Sequence, residues 1–342
     1  MPQTKEKFKP LKFPSDEQKH DHIIEWWYFN GHLKTERGRY FSYMNCLFAA
    51  KPQKVAIPFA KRLPFKTWYF AHYLLTDLQK HKVWSKIMPV SFIDKKSFTL
   101  PLLWVQYDNS CLLEEIKPFN YQLVNDFIDL NLFSKKKPLL VNNKGFIDLG
   151  DKATYYYSLS HLKTKGLIKA GKKWLEVSGL SWMDHQWAQT PFTKNDKWTW
   201  FSLQLNNGID ILCFVYGDEH KVFYATLLDK NNHQKITDNL FIKPRAIKFV
   251  SAETGASYQL SYEIYLPDWD IKLEVKPLNK KQEMIFGPIN YWEGPISVEG
   301  KCQGKNVRGR GFLEITGCPM KKSLFNVYLN KLDREVRKRI GR

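Results

Sequence analysis

Hydrophobic and polar positions alternate with a period of two along most of the chain, in strand-length runs separated by Gly, Pro, Asn and Asp. After a polar, Lys-rich arm at residues 1–22, the first run covers 23–33, turns at Thr35-Glu36-Arg37-Gly38 and returns over 39–49, which predicts a hairpin. A Pro-punctuated loop at 51–64, a strand at 67–78, a loop-like stretch to residue 97 and strands at 120–132, 152–159 and 163–183 follow. Polar residues 189–196 read as a linker. Beyond it, 198–205 and 209–216 flank Asn206-Asn207-Gly208, a second hairpin signal. Further strands are expected at 222–228, 241–250, 257–266, 269–277, 291–299 and 307–316. Short strands at this spacing predict an all-β sandwich or up-and-down barrel. From Lys321 the period changes: Leu324, Tyr328, Leu332, Val336 and Ile340 recur every four residues with Arg334, Arg337, Lys338 and Arg339 between them, predicting an amphipathic helix at 321–342.

The pattern also repeats. Val177, Gly179, Ser181, Trp182 and Asp184 match Val307, Gly309, Gly311, Phe312 and Glu314, 130 positions further on. Gly166 and Ile168 precede the first copy as Gly294 and Ile296 precede the second, and Trp26-Trp27-Tyr28-Phe29 is mirrored by Trp198-Thr199-Trp200-Phe201. One β-unit used twice predicts two closed or nearly closed domains, 23–190 and 195–318, in a chain whose 342 residues suit two domains. After the acid the copies diverge into His185-Gln186-Trp187 and Ile315-Thr316-Gly317. Chemistry is expected at that divergence.

Composition narrows the function classes. Twelve Trp, 17 Tyr and 23 Phe favour strands and apolar cavities over helical bundles. The net charge of +19 comes from scattered lysines without a nucleic-acid-binding motif, which argues against a nucleic-acid partner. The five Cys (46, 111, 213, 302, 318) form no C-x-x-C pair and read as reduced thiols. With a start that carries no apolar leader, they predict a cytoplasmic protein; an exported chain whose leader had been removed is the alternative. No apolar run is long enough for a membrane helix, although the basic 321–342 face could touch anionic lipid if it does not simply pack on its own barrel.

Strand alternation sets Trp26, Tyr28, Asn30 and His32 on one face, either lining a ligand cavity or covered by the partner domain. His72 lies among Phe70, Leu74 and Thr76, where a hydrogen-bonded core histidine is the ordinary outcome. The segment Trp182-Met183-Asp184-His185-Gln186-Trp187 offers a carboxylate, an imidazole and two indoles. It reads either as an acid–base site, with a desolvated Asp184 poised to donate a proton, or as a junction plug. Tyr216-Gly217-Asp218 is a secondary candidate, and Trp200 joins the aromatic candidates for substrate binding. No nucleophile elbow, phosphate loop or Rossmann fingerprint is present, and His20-Asp21-His22 reads as a solvated tail, so no metal ligand set is expected.

Taken in order, Glu25-Trp26-Trp27-Tyr28 with Gly31-His32-Leu33, Phe70 with His72 and Thr76-Asp77, Ser181-Trp182 with Asp184-His185-Gln186-Trp187, Trp198 with Trp200-Phe201-Ser202-Leu203-Gln204-Leu205, Tyr291-Trp292-Glu293-Gly294, and Gly309 through Gly317 resemble the carotenoid 1,2-hydratase (hydroxyneurosporene synthase) family, which includes AttH-like proteins and kievitone hydratase. The resemblance implies two tandem lipocalin-like β-barrels with a ligand site in or between them. It also implies addition of water to a double bond of a polyene or prenyl chain without a dissociable cofactor, while related fungal proteins of this type are pericyclic cyclases. It places catalytic roles on Asp184, His185 and Trp187, and on Tyr216 and Asp218. Two departures stand out: Ala188 follows the motif where Gly is common, and Gln186 stands where some relatives carry Glu. The function expected is a hydratase, related lyase or isomerase in which Asp184 protonates an alkene of an apolar ligand, Trp182 and Trp187 shield the cation and His185 handles water. A non-catalytic carrier of apolar ligands is the alternative.

Overall fold

The computed structural model describes residues 8–55, 60–150, 152–193, 196–217, 222–286, 289–323 and 325–327. The expected helix at 321–342 lies almost wholly outside these residues, and so does Asp218. The chain is all-β. Its first half carries β1 (Ile24–Lys34), β2 (Tyr40–Ala50), β3 (Trp68–Asp77), β4 (Lys82–Ser91), β5 (Trp104–Tyr107), β6 (Cys111–Lys117), β7 (Asn120–Asn125), β8 (Ile128–Ser134), β9 (Leu139–Leu140), β10 (Phe146–Asp148), β11 (Ala153–Ala170) and β12 (Lys173–Ala188). The second half carries β13 (Trp198–Leu205), β14 (Asp210–Tyr216), β15 (Val222–Leu228), β16 (Gln234–Thr237), β17 (Phe241–Pro244), β18 (Lys248–Val250), β19 (Ser257–Gln259), β20 (Tyr262–Leu266), β21 (Ile271–Pro277), β22 (Glu283–Phe286), β23 (Ile289–Cys302) and β24 (Lys305–Ile315).

The first sheet runs β4-β3-β2-β1-β12-β11-β8-β7-β6-β5. Its ends meet beyond β4, where Ile93 bridges Tyr107, Asp94 N–H donates to Gln106 O (3.1 Å) and Asp108 N–H to Phe92 O (2.6 Å), leaving almost no open edge. The second sheet runs β16-β15-β14-β13-β24-β23-β21-β20-β17, and among the described residues β16 and β17 share no ladder. One sheet is therefore a nearly closed barrel, as expected, and the other a half-barrel, less closed than expected, consistent with tandem lipocalin-like barrels. Three local expectations also change. The run 163–183 is two strands reversing at Gly171, the loop-like stretch before residue 97 contains β4, and 241–250 divides into β17 and β18.

Period-two alternation decides what each face meets. Trp27, Phe29, Leu47, Tyr73, Tyr121, Tyr157 and Met183 point into the first barrel and fill it, and Phe201, Leu203, Ile211, Trp292 and Leu313 form the second core. The opposite faces of the same central strands pack against each other: Tyr28, Met44, Tyr156 and Trp182 meet Trp200, Leu212, Phe214 and Phe312. Polar ties fix this docking. Gln204 Nε2 donates to the carbonyls of Ser160 (2.7 Å) and Ser181 (3.1 Å), and His32 Nε2 donates to Gly311 O (2.9 Å). The repeat survives as register, with Tyr28 opposite Asp184 on β1 and β12 and Trp200 opposite Glu314 on β13 and β24.

Residues 11–22 of the polar arm close one end of the first barrel. Phe13 packs edge-on to Tyr157 at 4.8 Å, and His20 stacks on Trp187 at 3.7 Å, so His20 is no solvated tail residue. Glu17 is fully buried, accepts the Tyr121 hydroxyl and leaves Oε2 unpartnered. Burial, with Glu115 alongside, pushes its pKa up to about 10, so the carboxyl is held protonated at neutral pH. Holding a proton there costs stability as pH rises above the unfolded value near 4.5. Glu17→Gln, which is neutral without binding a proton, is expected to melt at or above the wild-type temperature at pH 8. Glu17→Ala, which leaves a hole, should melt several degrees lower. Thermal melts of both variants check this, and a Gln variant that melts lower than Ala would refute the buried neutral carboxyl.

Candidate active site between the two sheets

A cavity of about 780 Å³ opens where the docked faces of the two halves part. One side is a slab of rings: Phe48 lies parallel to Phe70 (4.5 Å, 4°), Phe70 to Phe286 (5.2 Å, 6°), and Trp68 covers Phe70 at 4.3 Å. Phe48 and Phe70 reach this slab because even-numbered positions of β2 and β3 face outward. Trp26, Trp198 and Trp200 add further rings to the lining. Such a wall takes up apolar, flat or conjugated groups.

The polar side holds the carboxyl groups of Asp184, Glu293 and Glu314, with Asp196 at its edge. Asp184, 3 % exposed, accepts the Ser158 hydroxyl at 2.5 Å, the Trp182 Nε1–H at 2.6 Å and the Tyr156 hydroxyl at 2.7 Å. Tyr156 in turn accepts Trp200 Nε1–H at 2.8 Å, a relay that crosses between the halves. Burial drives the Asp184 pKa up to about 7 against the pull of these three donors, so both protonation states are accessible near neutrality. On the facing half, Glu293 of β23 stands opposite Glu314 of β24. Tyr28 donates its hydroxyl to Glu293 and accepts Asn30 Nδ2–H at 3.1 Å. Burial raises both glutamates; the charge of Glu314 adds to the rise at Glu293, and Trp198 lowers Glu314 in part.

His72 lines the cavity, with Nδ1 at 2.7 Å from the Tyr291 hydroxyl and Nε2 without a partner. Burial holds its pKa down at about 3, so the ring is neutral. Among the expected substrate-contacting residues, Trp26, Tyr28, His72 and Trp200 line the cavity. Asn30, His32 and Trp182 sit behind it: Asn30 supports Tyr28, Trp182 supports Asp184 and His32 ties the halves.

The grouping of Asp184 with His185 and Trp187 does not hold. Neighbouring residues of a strand point to opposite faces, so Asp184 faces the cavity while His185 and Trp187 point into the first barrel. There His185 Nε2 bonds Glu25 at 2.8 Å and its ring stacks on Trp27 at 4.8 Å. His20 bonds the same Glu25 oxygen at 2.8 Å, and the donor atoms of His20, Glu25 and His185 all lie within 4.8 Å of one another, a spacing that could hold a metal ion although no ligand set was expected from the sequence. Tyr216 donates to Asp196, a cavity-edge residue that also pairs with Lys152 Nζ at 2.5 Å, and Tyr216 itself lies one residue behind the lining. All five cysteines are free, and only Cys46 and Cys318 reach the cavity.

Glu293, Glu314, Tyr156 and Ser158 are functional candidates that residue-by-residue reading passed over. The repeat already contained the signal for Glu314, which occupies the position of Asp184 in the second copy.

The sequence profile of the AttH-like family matches residues 4–318. This chain belongs to that family. The AttH-like chain is 26 % identical over 206 residues to dehydratase asqC of Emericella nidulans; the match spans 56 % of this chain and 58 % of that protein. A Nitrosomonas europaea protein solved under the AttH name has a TM-score of 0.75 at 25 % identity, covering 91 % of this AttH-like chain and 98 % of its own. Kievitone hydratase from Nectria haematococca has a TM-score of 0.69 at 16 % identity, with 90 % and 93 % covered, and shares the fold. The fold of this chain is thus shared by both solved structures.

Proposed function

We propose that this AttH-like protein is a hydro-lyase that adds water to, or removes it from, an apolar unsaturated small molecule held between its two halves. The observation that carries this reading is Asp184: a carboxyl poised near neutrality by burial against hydrogen bonds from Ser158, Trp182 and Tyr156, on the polar side of a cavity whose other side is a wall of rings. The dehydratase and hydratase names of its relatives point the same way. In the hydration direction Asp184 gives its proton to one alkene carbon, the π pair forms the C–H bond, water adds to the other carbon and the proton it sheds returns to a carboxylate. Dehydration is the reverse. The reaction balances with water alone. Ring faces of Trp26, Trp198 and Trp200 favour positive charge developing on the substrate.

The test incubates the protein with polyenes, prenylated aromatics and their alcohols in heavy-oxygen water. The expected product carries one labelled oxygen. Ligands that bind in the cavity but never gain or lose oxygen would instead make the protein a carrier.

Since the protonated form of Asp184 is the donor, hydration is expected to fall as pH rises through about 7. Trp200→Phe deletes the donor that makes Tyr156 a stronger hydrogen-bond donor to Asp184. The ionised carboxylate loses support, its pKa moves up, and the alkaline limb of the rate profile should move to higher pH. A limb that stays fixed or moves down would break the proposed relay.

A further inference from the structure

We propose that Glu293 and Glu314 hold one proton between them and form the second proton-handling group of the site, Glu314 exchanging a proton with substrate and Glu293 positioning it; this rests on the hydro-lyase reading. The geometry is a directly opposed pair. β23 and β24 run antiparallel with Glu293 across from Glu314, both on the outward face of the second sheet and both lining the cavity. Side chains so placed lie within about 5.5 Å at Cβ, and like charges there repel. Among the described residues neither carboxyl has an ion-pair partner. The groups that act on the pair are Tyr28 from β1, Asp184 from β12 and Trp198 from β13, with Cys46 of β2 and Tyr291 of β23 beside them; His72, Asp196, Lys197 and Lys322 also line the cavity. Two such carboxyls cannot both ionise cheaply, so one proton stays with the pair.

Removal of water needs two proton transfers, and Asp184 accounts for one. In the dehydration direction Asp184 O–H protonates the substrate hydroxyl, the C–O bond breaks with its electron pair and water leaves. The ionised member of the pair, Glu314, takes a proton from the adjacent carbon, whose C–H electrons become the new π bond. Asp184 ends ionised and the pair doubly protonated; one proton returning from the pair to Asp184 resets the site. Because Asp184 belongs to the first half and the pair to the second, the substrate is handled from two walls. The fused repeat thereby supplies both groups.

Two measurements test this. An infrared titration of the ligand-free protein in a Glu17→Gln background, which removes the other carboxyl held protonated above neutrality, should show a protonated carboxyl persisting above pH 7 that remains when Asp184→Asn is added and vanishes when Glu293→Gln is added. On a substrate identified by the labelled-water assay, the dehydration rate of the wild type should rise and then fall with pH. Glu314→Gln should lower turnover about 10²–10⁴-fold and remove the rising limb while keeping the falling one. A Glu314→Gln variant with wild-type turnover and both limbs intact would overturn the proposal and leave the hydro-lyase reading standing. If no compound is turned over even by the wild type, that reading fails and the infrared band alone decides the shared proton: its absence overturns it, its presence supports it.

Discussion

Asp184→Asn should lower hydration turnover by about 10²–10⁴-fold while ligand binding survives. The amide can keep its oxygen toward Ser158 and Trp182 and turn its nitrogen toward the Tyr156 hydroxyl, as the protonated acid would, so shape and hydrogen bonds are retained and only the transferable proton is lost. The same substitution should stabilise the protein, with a sign fixed by linkage. The folded-state pKa of Asp184 is about 7 against a reference of 3.8, so between those values the folded state binds more protons than the unfolded one and stability falls as pH rises. Asn carries no such slope. Melts at pH 5 and pH 8 should therefore show the variant gaining on the wild type at the higher pH, a stability–activity trade-off at one buried group. Normal turnover in a correctly folded variant would clear Asp184 and shift the acid role to the Glu293–Glu314 pair.

The architecture was readable because it rests on period and repetition. Alternation along 23–33 and 198–205 identified the central strands, and the 130-residue echo identified the two halves. Which face of each strand is the interior is a different question, since both faces of β1 are aromatic. Trp27 and Phe29 fill the barrel while Trp26 and Tyr28 meet the other half, and only the three-dimensional docking tells these apart. The cavity consequently lies on the outside of both sheets. Alternation applied to β12 would have separated Asp184 from His185 and Trp187; proximity in sequence suggested a cluster that a strand cannot make. The edge strands of the second half were harder to read for another reason. Lys243, Lys248 and Lys272 punctuate that region, and the sheet there stops short of closure.

Gly311→Ala should unfold or severely destabilise the second half, by more than about 4 kcal/mol, the range reserved for changes the structure cannot absorb. A Cβ at Gly311 would lie 1.8 Å from the Ser202 carbonyl oxygen and 2.9 Å from its carbon, which is backbone of the neighbouring strand β13 and cannot rotate away. Gly309, also of β24, shows a like approach, with a would-be Cβ 2.3 Å from the Gln204 carbonyl oxygen, and so does its repeat counterpart Gly179, 1.9 Å from the His32 carbonyl oxygen of β1, whereas the counterpart of Gly311 is Ser181. In both halves a glycine lets the strand bearing the acid, β24 or β12, press against the strand bearing the aromatic motif. Glu314 lies five residues beyond Gly309, as Asp184 lies five beyond Gly179. The contact that fixes the strand pair therefore also sets the register Trp200 to Glu314 and Tyr28 to Asp184. Gly38→Ala provides the contrast. That glycine has φ +81 and nothing within 4 Å of its would-be Cβ, so its cost is limited to left-handed backbone strain of about 1–2 kcal/mol. Denaturant melts of the two variants should differ several-fold in lost stability. Near-equal losses would mean that the strands can spread at Gly311, and the tight pairing of β13 with β24 would no longer explain how Glu314 is held at the cavity wall.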